Sequence, residues 1–151
     1  MKNLGDATVR RSIEDRVSRL EAGRKGLWGR MSAHQMICHL TDSFLTSFGE
    51  KQVSPATGVL QKSLMKWFAI YAPIRWPKNI ATRPEVEQGK GGTLPASFDE
   101  DKEKLLCVLN RFCQRTDRPE HPHPIFGKMT EKEWLRWGYL HVDHHLREFG
   151  A

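Results

Sequence analysis

Residues 130–150 read TEKEWLRWGYLHVDHHLREFG, and the spacing within them decides the fold. Thr130 followed by Glu133 is a capping-box pattern, in which the threonine oxygen and the glutamate carboxylate each accept from a backbone N–H that the helix start leaves free. It predicts a helix beginning near Glu131, with Gly150 suited to ending it. On a wheel of about 100° per residue, Trp134, Trp137, Gly138, His145 and Glu148 fall within roughly 60° of His141. The two histidines therefore share the tryptophans' inward face, whereas Arg136, Asp143 and Arg147 point to solvent and His144 sits at the edge of the stripe. Two imidazoles four residues apart on one helical face aim at one spot, which a divalent metal of borderline softness can occupy. The competing reading is a pair of core histidines bonded to carbonyl groups.

The same devices recur upstream. Asp6 caps a helix from about Ala7 to Ala22 with the stripe Val9, Ile13, Val17 and Leu20, ending at Gly23. Ser32 with Gln35 makes a second capping box, opening a helix to about Phe48 that Gly49 stops. Ser97 with Glu100 repeats the pattern before a helix with the stripe Leu105, Val108, Leu109 and Phe112, and Thr116 and Pro119 mark its end. Four helices and no alternating strand pattern predict an all-α fold, one domain over residues 1–151, as a four-helix bundle. Between its second and third helices lies a long, partly irregular segment. It begins with a short helical candidate, Val59 to Tyr71, and continues as PIRWPKNIATRPEVEQGKGGTLPAS, rich in proline and glycine. Loops of that length inside a compact domain are functional or disordered. With Trp67, Phe68, Ile70, Tyr71 and Trp76 in its first half, a lid across one end of the bundle is the simplest account. Lys62, Lys66, Arg75 and Lys78 beside these aromatics would also suit a membrane surface or a subunit contact.

A chain of 151 residues can bury about two-thirds of the surface its unfolded form exposes and needs no covalent staples. Its three cysteines, Cys38, Cys107 and Cys113, are odd in number and lack C-x-x-C spacing, which points to a reducing compartment and to buried helical thiols. The start, MKNLGDATVRR, lacks the apolar core of a signal peptide, and no apolar run approaches the roughly 20 residues of a membrane span. The expected location is the cytoplasm. The net charge of +6 divides as +4 over residues 1–30, −2 over 31–50, +5 over 51–90, −1 over 91–120 and 0 over 121–151. That excess could serve nucleic acid or anionic lipid, but the basic residues are scattered and no binding motif accompanies them, so a solvated surface is the preferred reading.

The second helix offers His34 and His39 as a third ligand. They face directions about 140° apart, so at most one looks inward. His39, flanking the Met36, Leu40 and Phe44 stripe, is better placed; His34 lies in the first turn and should be exposed. His121 and His123 alternate with prolines and read as loop residues that could line the mouth of the site.

His39 followed 102 positions later by H-x-x-x-H resembles the DinB-like superfamily of four-helix proteins with a three-histidine metal site. The blocks RMSAHQMICHLTDS, TRPEVEQGKGGTLPASFDED and HPIFGKMTEKEWLRWGYLHVDHHLREFG are similar to an uncharacterised branch of that superfamily known only as a domain of unknown function. The likeness runs from about Trp28 to the C-terminus. It implies that His39, His141 and His145 are metal ligands. Where that branch favours glutamine, this chain has Glu148, which could serve as a fourth ligand, a general base, a partner to a ligand or a solvated terminal acid.

Three neutral imidazoles leave a divalent ion its full charge and an open position, the arrangement of catalytic sites. Zinc, nickel, iron or copper would suit nitrogen ligands; calcium and magnesium would not. Asp42, three residues after His39, is the candidate to hold a ligand's distal N–H or to take a proton from the nucleophile, with an exposed helical aspartate as the alternative. Relatives in the superfamily include transferases and isomerases that activate a low-molecular-weight thiol. The resemblance thus implies a metal-dependent enzyme presenting a thiol or water to a small electrophile, as an S-transferase or hydrolase, in a chain that pairs as a dimer. Val142 stands where an H-E-x-x-H peptidase carries its glutamate, and no phosphate-binding loop or nucleophile elbow is present. Two other classes compete: a non-catalytic helical protein with a structural metal, and a basic binder of nucleic acid or anionic surfaces.

Overall fold

A computed structural model describes residues 1–56, 59–115 and 121–151, with the side chains of 59–63 left aside. Five α-helices and one 3₁₀ turn make up its regular structure: α1 (Ala7–Ser18), α2 (Ala33–Ser47), α3 (Val59–Tyr71), the 3₁₀ turn (Pro84–Val86), α4 (Phe98–Gln114) and α5 (Glu131–Glu148). Among the described residues there is no β-strand, only an isolated bridge between His123 and Gly127. The fold is all-α.

Local chemistry accounts for most of the boundaries. Asp6 accepts from the amides of Thr8 and Val9 at the start of α1. Both capping boxes on α2 and α5 form in full, Ser32 with Gln35 and Thr130 with Glu133. At the end of α5, Gly150 has φ 65°, and Gly150 N–H to Arg147 O (3.1 Å) with Ala151 N–H to Leu146 O (2.9 Å) make a Schellman motif that satisfies two free carbonyls.

Two expectations are corrected. Helix α1 ends at Ser18, a turn short of Ala22. Beyond it the chain bends so that Leu20 enters the core, 3% exposed, and Lys102 Nζ donates to the carbonyls of Ser18 and Leu20. Ser97 is the N-cap of α4, but its side chain makes no capping bond; Asp101 instead accepts from the Ala96 amide at 3.0 Å. The expected end of this helix at Thr116 and Pro119 lies outside the described residues.

Helix α2 packs against α4 and α5, and α1 against the same two. Their stripes meet in one core with Phe44, Phe112, Trp134 and Trp137 at its centre; Phe44 and Phe112 have ring centroids 4.8 Å apart and the two tryptophans 5.3 Å. Gly138 lets α5 approach closely, since a Cβ there would sit 2.8 Å from Leu4 Cδ1 and 2.9 Å from Phe112 Cε1. Arg16 of α1 donates to Asp143 of α5 at 2.8 Å, so Asp143 is half-buried rather than facing solvent freely. Helix α3 is held to α5 by Tyr71 Oη and Lys66 Nζ on the buried Glu133 carboxylate, at 2.9 and 3.1 Å.

The irregular segment after α3 folds back over the helices. Trp76 Nε1 donates to Ala69 O at 2.8 Å, setting the indole against His141 and His144, with centroids 5.9 and 6.0 Å away. Farther on, Thr93 donates both its amide and its hydroxyl to Asp42, each at 2.7 Å.

Candidate metal centre

The three histidines from α2 and α5 meet. One ring nitrogen from each of His39, His141 and His145 lies within 4.8 Å of the other two, and the ring centroids are 5.0 to 5.3 Å apart. Nε2 of His39 and Nε2 of His141 approach to 3.3 Å. Two nitrogens bound tetrahedrally at about 2.0–2.1 Å would be separated by roughly 3.3–3.4 Å.

The groups around the rings fix which nitrogens are free. His39 donates Nδ1–H to the carbonyl of Val86 at 2.9 Å, since a carbonyl can only accept. His145 donates Nδ1–H to Glu148 Oε2, also at 2.9 Å. In both rings Nε2 is left with its lone pair, the protonation state a metal ligand needs, and the bonds at Nδ1 orient the rings as supporting carboxylates and carbonyls do in metal sites. His141 Nδ1 is buried with no hydrogen-bond partner among the described residues.

Electrostatics keeps the site neutral. Burial, with His145 alongside, pulls His39 down to about 4; burial pulls His145 down to about 3; burial and the neighbouring imidazoles hold His141 well below its ordinary value. Desolvation disfavours the imidazolium, so all three remain unprotonated at neutral pH and available to a cation. Glu148, 3% exposed, has its pKa raised by burial. The donor set therefore fits a transition ion held by nitrogen.

Asp42 does not hold a ligand imidazole. Its carboxylate is 1% exposed but is occupied by Thr93 and by Lys51 Nζ at 2.9 Å, and the role expected of it falls to Val86 O for His39 and to Glu148 for His145. Nor is it the exposed helical aspartate of the alternative reading. Glu148 is buried against His145 instead of lying in solvent.

The remaining histidines depart from expectation. His34 is half-buried, bonded to Asp101 Oδ2 at 2.8 Å. Cys38 points its thiol at the same oxygen at 3.7 Å; burial and Asp101 push that thiol up to about 12, so it stays protonated as a donor. These three form a second group whose candidate ligand atoms lie within 4.8 Å, here joined by hydrogen bonds that tie α2 to α4. Of the other cysteines, Cys107 is exposed rather than buried. His123 is buried and stacked on Phe126, with centroids 4.5 Å apart, and its Nδ1 accepts from the amides of Ile125 and Phe126. His144 is 7% exposed, not peripheral.

The three-histidine group lies in the wall of a cavity of about 1390 Å³, which His123, His144, Glu148, Trp28, Trp76 and Trp137 also line. The irregular segment supplies much of its other wall, from Ile74 to Gln88. Trp28 lies in the stretch between α1 and α2, and nothing in its neighbourhood in sequence indicates that this stretch lies beside α5; Leu27 N–H to Glu148 O, 2.7 Å, holds it there. No helix among the described residues is long and apolar enough to cross a membrane.

Residues 8–151 match the model of a protein family described as a protein of unknown function (DUF1569). Neither a curated protein nor a solved structure matches the chain.

Proposed function

The chain belongs to the DUF1569 family, whose function is unknown, and we propose that it is a metal-dependent enzyme activating a thiol or water toward a small electrophile, as an S-transferase or hydrolase. The observation that carries this reading is the convergence of His39, His141 and His145 in the wall of a large cavity rather than in the closed core. A structural ion has no use for an adjoining cavity, whereas a catalytic one needs an open position for its reactant. At about 1390 Å³ the cavity exceeds the roughly 300–1,000 Å³ usual for one small ligand, which suits an electrophile together with a low-molecular-weight thiol.

His39, His141 and His145 would hold the ion, zinc, nickel or iron by their donor type. Such an ion supplies Lewis acidity, lowering the pKa of a water or thiol so that its nucleophilic form exists at neutral pH. The chain's own residues prepare the place. Val86 O and Glu148 fix the imidazole tautomers. Glu148 is a positioning residue acting through His145.

The packing of α1, α2, α4 and α5 on one another supports a DinB-like four-helix bundle, with α3 as an addition. Three free cysteines suit the cytoplasm. The exposed Leu64, Trp67 and Tyr71 on α3 offer a surface for pairing two chains as a homodimer.

The test is metal analysis of protein purified without a His tag. Wild type is expected to carry about one transition ion per chain, and His141→Ala and His145→Ala to lose it while keeping their helical circular dichroism. Equal metal in all three proteins would sink the site.

A further inference from the structure

Helix α2 turns a different side to α4. His34 and Cys38 are four residues apart, so they stand one above the other on one helical face, and both reach Asp101 in the first turn of α4. Cys38 is 2% exposed, whereas the side chains of His34 and Asp101 keep 20% and 16% of their surface. The thiol is the closed end of this group, and the imidazole and carboxylate are its open end. That gives an ion a way in and a water molecule a place to complete its coordination.

Three donors crowd one oxygen here. Asp101 Oδ2 is 2.8 Å from His34 Nε2, 3.7 Å from Cys38 Sγ and 3.0 Å from the Ala96 amide nitrogen, although a carboxylate oxygen offers two lone pairs. The thiol, at the longest distance, is left with a weak bond. A divalent ion replacing the imidazole and thiol protons would leave this oxygen with two partners, the ion and the Ala96 amide. One candidate atom from each of the three residues already lies within 4.8 Å of the other two. Around a tetrahedral zinc ion, sulfur and oxygen are separated by roughly 3.6 Å and nitrogen and oxygen by roughly 3.4 Å. The sulfur therefore stands close to its place, and only the half-buried imidazole has to draw back.

We propose that His34, Cys38 and Asp101 form a second metal site, which takes a sulfur-binding divalent ion of the zinc or cobalt type and clamps α2 to α4. A thiolate and an imidazole do not suit calcium or magnesium. On binding, the Cys38 thiol gives its proton to solvent and becomes a thiolate ligand, and the His34 proton moves to Nδ1 so that Nε2 presents its lone pair. In the three-histidine group, the Nε2 lone pairs of His39 and His145 are already set and no proton has to leave. That group fills first, and the second site loads when the ion is supplied in excess. The inference does not depend on the enzyme reading above.

Cobalt(II) tests it, because a thiolate ligand gives this ion an intense near-ultraviolet charge-transfer band that nitrogen and oxygen ligands do not. Metal-stripped, reduced protein is titrated with cobalt(II) chloride. The band is expected to grow with the second equivalent in the wild type and with the first in a His141→Ala/His145→Ala double variant. Cys38→Ser should lose the band and keep the first ion, whereas Cys107→Ser and Cys113→Ser should keep both. His34→Ala and Asp101→Asn, at partly exposed positions, should weaken the band-forming cobalt at least tenfold with helical circular dichroism unchanged. No thiolate band at any cobalt ratio, a band that survives Cys38→Ser, or equal affinity in wild type, His34→Ala and Asp101→Asn would each overturn the proposal. The two readings fail separately. Cobalt that binds without a band and is lost in the double variant refutes this site alone, and a band with equal cobalt in wild type and double variant refutes only the three-histidine site.

Discussion

Glu148 shows how much one side chain near a chain end can carry. Its oxygen accepts from His145 Nδ1, its backbone carbonyl holds Leu27, and Gly29, at φ 81°, packs so closely that a Cβ there would overlap Glu148 Oε1. Removing the acceptor in Glu148→Ala is expected to weaken metal binding by about 10- to 100-fold, as loss of a ligand's outer partner does elsewhere. Titration with a competing chromophoric chelator measures it, and unchanged affinity would mean that the bond does not support the ligand. Gly29→Ala should act on the same contact from the other side. It costs about 1–2 kcal/mol for the left-handed backbone and displaces the carboxylate, so both the urea midpoint and metal affinity should fall. Sequence spacing put Glu148 on the histidine face, but no local signal marked Gly29, because its constraint comes from a residue 119 positions away.

Among the elements, the segment between α3 and α4 shows the clearest division. Its proline and glycine content announces irregular chain, and its aromatics announce that the chain is packed. The contacts that fix it, Asp42 on Thr93 and Val86 on His39, pair α2 with residues about 50 positions away and leave no periodic trace. Asp42→Ala should release this segment: faster amide hydrogen exchange is expected around Thr93, with metal content kept near wild type. Loss of metal equal to that in His141→Ala would instead return Asp42 to the site. The capping boxes of α2 and α5 were readable because both partners lie within four residues. The Ser97–Glu100 pattern is just as local, yet Ser97 makes no capping bond, and Asp101, which also bonds His34 and Cys38 of α2, takes the Ala96 amide instead.

Taken together, the buried histidines give the protein a defined response to acid. His123 is pulled down to about 3 by burial, His145 to about 3 and His39 to about 4, against 6.5 for an unperturbed imidazole. Below pH 6.5 the unfolded chain takes up protons that the folded chain refuses, so stability rises with pH through this window. Metal-free protein should therefore be most stable above pH 6.5, and its urea midpoint should drop progressively from there toward pH 4. A midpoint constant between pH 7 and 4.5 would mean that these rings titrate normally and are not desolvated. The uneven +6 charge has no part in this response, because its basic residues lie largely on the surface.

From its sequence alone, the chain determined the helices, their starts and the face on which His141 and His145 stand, because caps and apolar stripes are written in residues one to four positions apart. Tertiary structure decided that Glu148 bonds His145 while Asp42 anchors a loop, and that Trp28 and His144 share a cavity. Those outcomes depend on residues 50 to more than 100 positions apart being packed together, and packing selects among side chains that look equivalent within their own helix.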